Sequence, residues 1–378
     1  MRRETTTECA GAKRDEHLDA VKGFAILVVM VGHCIGRNHM NDPYINDAIM
    51  SVQMPLFMMA SGYAGGMTKR ELSEIGDVWS VQKRRAVSYL LPFFSWVFVV
   101  SLLRPFDRIQ NPFAECYKVL FHIDSGLWFL VTLFLIQLMV MLDELAAGRA
   151  AAHFHRQRRG VCHTCFFAAG AALLYLLCIL WGRSGSTFLG PSFLVQYLPF
   201  YLAGYLASHY LMYRIRGEGA EMPDVRKKWM RTLIGWLRVH GNRMIWCLWG
   251  TALIAFLACV ICFDLQSNET VFRLLIRMCA SFLGSFVCFW GIYHLPVKQR
   301  YGLSFLGRYT LEIYALHFRF VDMLGFRDMG LSLYSLKGLG AVIVTFLVMS
   351  ILSGWIIYAV KKIPVLDLLL FGRRRNPD

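Results

Sequence analysis

The sequence has few charged residues. Asp, Glu, Lys and Arg make up 17% of its 378 residues, against about 25% in an average globular protein. Hydrophobic residues reach 56% and the mean hydropathy is +0.45, whereas globular proteins carry roughly 45 to 50% apolar residues. This shortage of charge argues against a soluble enzyme.

Acidic residues are scarcer than basic ones. The chain has 25 Asp and Glu against 40 Lys and Arg, for a formal net charge of +15. Such an excess is typical of nucleic-acid-binding surfaces, and it also occurs where basic residues mark one side of a membrane protein. The positions of the basic residues relative to the apolar runs distinguish these two cases.

Apolar stretches long enough to cross a hydrocarbon core, about 17 to 25 residues, occur ten times. We therefore predict an all-α polytopic membrane protein, a single bundle of about ten transmembrane helices without internal repeats or low-complexity linkers. The predicted spans are approximately 19–36, 45–66, 86–103, 126–142, 164–182, 193–213, 244–263, 272–294, 303–323 and 338–360.

Most basic residues fall on one side of the membrane in this predicted topology. With ten spans, 28 of the 40 fall on the side of both chain ends, 7 on the other side and 5 inside spans. Because Lys and Arg accumulate on the cytosolic side, we expect cytosolic termini and a multi-pass protein of the cytoplasmic (inner) membrane, with the lipid bilayer and not nucleic acid as the partner. The predicted parts are a cytosolic tail at 1–17, a transmembrane domain at 18–362 and a cytosolic basic tail at 363–378. Residues 1–17 lack an apolar core, so we expect no cleavable signal peptide and an insertion signal in the first helix.

Neither a disulfide framework nor a metal site is expected. The eleven cysteines are an odd number, and most fall in apolar spans, where a thiol packs as a small hydrophobe. His153, His155, Cys162, His163 and Cys165 have zinc-like spacing, but the second Cys pair of a structural zinc site is missing. We interpret this segment as an ordinary basic loop.

The first span contains two ionisable residues, Lys22 and His33. Eleven residues at about 100° each end about 20° beyond three full turns, so both side chains share one helix face, about 16 Å apart along the axis. Ionisable groups in a span usually face the bundle interior or a water-filled cavity. The alternatives are that Lys22 extends to the membrane interface and that His33 bonds a neighbouring carbonyl.

Further motifs follow in order along the chain. With the pair Lys22 and His33, separated by ten residues, the sequence is similar to the membrane acyltransferase 3 family, in particular its fucose 4-O-acetylase-like branch. The family typically has Arg at the position of Lys22, and this branch often has Lys. The other matching segments are Met54–Tyr63, Leu127–Leu130, Tyr197–Gly204 and Leu306–His317.

The resemblance implies transfer of an acyl group, usually acetyl from acetyl-CoA, to a hydroxyl of a cell-envelope sugar, a polysaccharide or its lipid-linked precursor, in a membrane we take to be bacterial. Acetyl-CoA is then a co-substrate, and no permanently bound cofactor is expected. The resemblance makes His33 the residue on which the family most depends. A histidine can remove the proton of the attacking hydroxyl near neutral pH, so we expect His33 to be the general base; a covalent acyl-histidine is the chemical alternative. Lys22 is the second predicted catalytic residue.

The donor carries phosphates, so a basic cytosolic mouth is expected. Lys83, Arg84 and Arg85 lie at the start of the third span and could bind phosphate by charge-assisted hydrogen bonds. Arg84 matches the first of two family arginines, but Ser88 stands at the second position. The alternative is that this cluster only sets the topology.

Ionisable and aromatic residues also occur in the predicted ninth span. Arg308 and Glu312, four apart, and Arg319, eleven residues after Arg308, share one helix face. This spacing predicts that Arg308 and Glu312 form a structural charge pair or that they hold substrate. His317 lies about half a turn from that face. Tyr314 and His317 are secondary site candidates because they match the late Tyr-x-x-His of the resembled family.

Three more candidates lie in the second and fourth spans. Ser61 or Tyr63 could donate to a developing oxyanion, whereas Gly62 and Gly66 favour close helix packing. Trp128 is a possible substrate platform, although Trp also concentrates at membrane boundaries.

A transporter or exporter of a glycan precursor or small metabolite is the main alternative function. Buried Lys, His, Arg and Glu among ten helices also suit a transport path. Against it, the sequence shows no inverted repeat, and its charged residues match an enzyme signature.

Overall fold

The computed structural model describes residues 15–67, 72, 74–102, 111–125, 127–208, 228–266, 270–321, 323–324 and 326–373. Within these residues the chain forms helices and the turns that join them, and no strand occurs. Most of the predicted N-terminal tail, residues 209–227 and the end of the basic C-terminal tail lie outside them.

Thirteen α-helices are formed by the described residues, and short 3-10 turns follow α4 and α11. They are α1 (Glu16–Arg37), α2 (Pro43–Met67), α3 (Ile75–Leu102), α4 (Pro112–Phe121), α5 (Trp128–Ala152), α6 (Arg156–Arg183), α7 (Pro191–Leu206), α8 (Lys228–Cys262), α9 (Val271–Tyr293), α10 (Val297–Arg308), α11 (Thr310–Leu316), α12 (Leu336–Lys361) and α13 (Pro364–Phe371).

Among the described residues, seven helices are long and apolar enough to cross a membrane: α1, α3, α5, α6, α8, α9 and α12. They correspond to seven of the ten predicted spans, so the all-helical membrane architecture is confirmed. The predicted spans 45–66 and 193–213 correspond to α2 and α7, which pack against each other with many buried side chains. The total of ten spans and the cytosolic position of both termini stay predictions.

The segment 303–323 is not the single span that we predicted. The backbone leaves the helix at Tyr309, where φ is −114° and ψ is 16°. The Arg308 carbonyl, which would accept the N–H of Glu312 in a continuous α-helix, accepts a hydrogen bond from the Arg373 guanidinium instead. α11 starts after this break and runs into a 3-10 turn at His317–Arg319.

Glycines let two helix pairs approach to backbone contact. A Cβ on Gly62 of α2 or on Gly204 of α7 would overlap a backbone carbonyl of the facing helix, and Gly23 of α1 and Gly307 of α10 form a second such pair. The predicted packing role of Gly62 is therefore confirmed, since only a residue without a side chain permits this spacing.

The segment predicted as a basic loop with zinc-like spacing is mostly helical. α6 begins directly after His155 with the basic turn Arg156–Arg159, and Cys162 and Cys165 lie on this helix. The Nε2 atom of His163 lies 3.2 Å from Oε1 of Glu144. No group of three potential metal ligands occurs among the described residues.

The beginning of the predicted C-terminal tail is part of the bundle. α13 packs on α3, where the indole N–H of Trp96 donates to the carbonyl of Leu370 at 3.0 Å, and Phe371 is buried. Gly372 ends the helix with a positive φ of 66°, a conformation that favours glycine. The packing of α13 on α3 therefore places Arg373 next to the bundle.

Candidate active site

α1 carries Lys22 and His33 on one continuous helix. The carboxylate of Asp15 caps its first turn by accepting the backbone N–H groups of His17 and Leu18. Both site residues are half-buried, and the unbroken helix preserves their predicted common face and their separation of about 16 Å. The two side chains therefore lie at different depths of the bundle.

His33 lies beside His317. Their ring centroids are 5.1 Å apart and the rings are tilted by 39°. Phe318 packs edge-on against His33 at 5.2 Å. His317 is 1% exposed, and its Nδ1 atom lies 2.9 Å from the carbonyl oxygen of Ile313, one turn earlier on α11. The break at Tyr309 and the 3-10 turn thus bring a second histidine to the predicted base.

An aromatic cluster surrounds this pair. The Tyr314 ring lies 5.9 Å from His317 and 5.8 Å from Phe129 at the start of α5. Trp128, next to Phe129, stacks on Tyr197 of α7 at 5.2 Å. The predicted candidates Tyr314, His317 and Trp128 are therefore brought into one region with His33.

Arg37 belongs to the same region and was not among the predicted site residues. It lies one helical turn beyond His33, and its guanidinium carbon is 4.3 Å from the centroid of the Phe318 ring, a cation–π distance. The predicted first span, 19–36, ends one residue before Arg37. Its position four residues after His33, on the same helix face, could have identified it as a site residue from the sequence.

A cavity of about 340 Å³ lies at the opposite end of the bundle. It is formed by the last turns of α2 and α7, the second half of α5 and the first half of α3. Because these helices alternate in direction, this is the end at which α1 begins and Lys22 lies. The lining residues are Gly65, Leu72, Val81, Arg84, Arg85, Val140, Met141, Glu144, Tyr201 and Tyr205.

The three predicted donor-site cations differ in their positions. Arg84 and Arg85 line the cavity, and the Arg85 guanidinium also donates to the sulfur of Met141 at 3.0 Å. The Lys83 ammonium lies 5.3 Å from the ring centroid of Trp79 and does not line this cavity. The structure thus separates one of the three adjacent cations from the other two.

A series of neighbouring aromatic side chains extends from the cavity to the histidines. Tyr201 lines the cavity, and Tyr197, one turn away on α7, stacks on Trp128. From there the rings of Phe129 and Tyr314 lead to His317.

Arg308 and Glu312 do not form the predicted charge pair. The Glu312 carboxylate is fully buried, and its Oε1 lies 3.0 Å from both Lys361 Nζ and Arg373 Nη2. Arg308 is exposed, 3.9 Å from Glu16. The helix break separates the two side chains, so they do not share the helix face that we predicted.

One of the two α2 candidates, Tyr63, packs against α9. Tyr63 is buried, and its ring lies 5.3 Å from Phe289 and 6.2 Å from Tyr293. Ser61 is half-buried. No measured contact joins either residue to the histidine pair within the part of the chain that the structure describes.

A family model described as an acyltransferase domain matches residues 15–359. This range contains both histidines and all the cavity-lining residues. No curated protein and no solved structure matches the chain.

Proposed function

The chain belongs to the acyltransferase 3 family and is a membrane acyltransferase, and we propose that it transfers an acetyl group from acetyl-CoA to a hydroxyl of a cell-envelope sugar, polysaccharide or lipid-linked precursor. The observation that carries this proposal is the position of His33, half-buried beside a second histidine and on the helix face of Lys22. The substrates, the bacterial inner membrane and the fucose 4-O-acetylase-like branch are part of the proposal.

His33 acts as the general base in this reaction. It removes the proton of the acceptor hydroxyl while the oxygen attacks the thioester carbon. The C–S bond then breaks, and the thiolate of CoA takes up the proton from the His33 imidazolium. An O-acetyl sugar and free CoA result. The aromatic surroundings limit the access of water, which would otherwise hydrolyse the thioester.

The donor is anionic, and the cavity provides two cations for it. Arg84 and Arg85 bind CoA phosphates through charge-assisted hydrogen bonds, and Lys22 contributes positive charge at the same end of α1. The flexible arm of CoA then follows Tyr201 and Tyr197 towards the histidines. Glu144 also lines the cavity, and its negative charge disfavours phosphate at that wall.

The acceptor approaches from the other end of the bundle. His33 lies nearer the α1–α2 connection than Lys22 does, so with a cytosolic N-terminus the sugar reaches His33 from the outer half of the membrane. Trp128 and Tyr314 supply ring faces beside the histidines.

The test uses purified protein in nanodiscs with radiolabelled acetyl-CoA and a panel of methyl glycosides of glucose, galactose, mannose and fucose. We expect labelled O-acetyl glycoside and an equal amount of free CoA thiol. Folded protein that releases no CoA with any glycoside would contradict the proposal. Uptake of a glycoside into proteoliposomes without acetylation would instead support the transporter.

A further inference from the structure

The protonation of the His317 ring follows from one contact. Its Nδ1 atom lies 2.9 Å from the carbonyl oxygen of Ile313. A carbonyl oxygen only accepts hydrogen bonds, so Nδ1 carries the proton and donates it. In a neutral imidazole the other nitrogen, Nε2, then has a lone pair and acts as an acceptor.

This Nε2 atom is buried and has no hydrogen-bond partner within the part of the chain that the structure describes. Buried polar atoms nearly always have a partner, because leaving one unpaired is unfavourable. An unpaired acceptor in a ring that is 1% exposed therefore needs an explanation. Such atoms are expected where a partner forms only during binding or reaction.

The surroundings of His317 identify a donor for this lone pair. The rings of His33, Tyr314 and Phe318 lie around it. Phe318 has no polar atom, and the hydroxyl oxygen of Tyr314 accepts from the backbone N–H of Phe129 and makes no hydrogen bond to Nε2 of His317. His33 has a ring N–H, and at a centroid separation of 5.1 Å a side-chain rotation brings facing ring nitrogens into hydrogen-bond range.

We propose that His317 is the positioning residue of the transfer reaction, whose Nε2 accepts a hydrogen bond from the ring N–H of His33. This inference rests on the proposed function. The bond leaves the other nitrogen of His33 unprotonated and directed to the acceptor hydroxyl. When that hydroxyl gives its proton to His33, the resulting imidazolium donates a charge-assisted hydrogen bond to His317. The proton passes from His33 to the departing CoA thiolate, and His317 stays neutral throughout.

Two substitutions of His317 separate this role from a packing role. His317→Asn retains a donor for the Ile313 carbonyl and removes Nε2. His317→Gln places an amide near the position of Nε2, where its oxygen can accept. We expect His317→Asn to lower kcat for acetyl transfer by about 10- to 100-fold with an unchanged KM for acetyl-CoA, and His317→Gln to recover a large part of this loss.

The pH dependence of kcat/KM distinguishes this role from a packing role, because a loss of packing alone does not shift it. The acidic limb of kcat/KM reports protonation of the base in the free enzyme. The hydrogen bond from His33 to His317 stabilises the protonated His33 ring, so its loss in His317→Asn moves the acidic limb to lower pH. An unmoved limb, or a wild-type kcat in folded His317→Asn, overturns the inference.

Nitrogen-15 NMR of ring-labelled histidine tests the same inference without turnover. The signals of His317 are assigned from their absence in His317→Gln. We expect a protonated Nδ1 and an unprotonated Nε2; a proton on Nε2 overturns the inference even if acetyl transfer is found. Wild-type protein that transfers no acetyl group contradicts the proposed function, whereas active wild type with an unaffected His317→Asn variant contradicts only the role of His317.

Discussion

The imidazole of His33 lies 5.1 Å from that of His317, although the first belongs to α1 and the second to the 3-10 turn after α11. Two features make this contact. Gly23 and Gly307 bring α1 and α10 to backbone contact, and the break at Tyr309 redirects the chain after α10. The contact between the two histidines therefore depends on the helix break at Tyr309.

Arg84→Ala is expected to raise the KM for acetyl-CoA by about 10-fold or more, the loss of one charge-assisted phosphate contact, with a smaller effect on the KM for the acceptor. Lys83→Ala is the matched control, since Lys83 lies over Trp79 outside the cavity. Steady-state kinetics on both variants measures the difference. Equal donor KM values for the two variants would remove Arg84 from the donor site.

Gly204→Ala is expected to destabilise the protein by about 1–3 kcal/mol, since its methyl group would overlap the Met59 carbonyl and force α2 and α7 apart. Gly250→Ala is the control, because no atom lies within 4 Å of the added Cβ and alanine favours a helix interior. Thermal unfolding in nanodiscs gives the comparison. If Gly204→Ala melts at the wild-type temperature, the two helices do not touch as described.

Lys361→Ala is expected to lower stability by about 1–3 kcal/mol, because it removes one of the two cations that pair with the buried Glu312 carboxylate. Lys362→Ala provides the comparison, as the Lys362 ammonium lies 4.4 Å from the ring centroid of Tyr358 instead. The melting temperature of Lys361→Ala should fall below that of Lys362→Ala. Identical values would show that the Lys361–Glu312 pair does not contribute to stability.

The sequence predicted the features that depend on local pattern. Apolar length identified the seven helices of the described chain that are long and apolar enough to cross a membrane, and helix geometry placed Lys22 and His33 on one face of α1. Gly62 was correctly predicted as a packing residue from its small size. Each of these follows from residues within one helix, where the spacing and chemistry of the side chains suffice.

Partners distant in sequence could not be predicted in this way. Glu312 pairs with Lys361 and Arg373 and not with Arg308, because a C-terminal segment packs on α3 and the helix breaks at Tyr309. That break has no proline to mark it and falls two residues after Gly307; it coincides with the hydrogen bond from Arg373 to the Arg308 carbonyl. The contact of His317 with His33 follows from the same break.

The most direct test of the account is acetyl transfer by His33→Gln in nanodiscs, measured as labelled O-acetyl glycoside formed from radiolabelled acetyl-CoA. Glutamine keeps a polar side chain of similar size but cannot act as a base near neutral pH. We predict a loss of kcat of about 100-fold or more, with wild-type thermal stability and an unchanged KM for acetyl-CoA. Acetyl transfer at the wild-type rate by folded His33→Gln would contradict the assignment of His33 as the base.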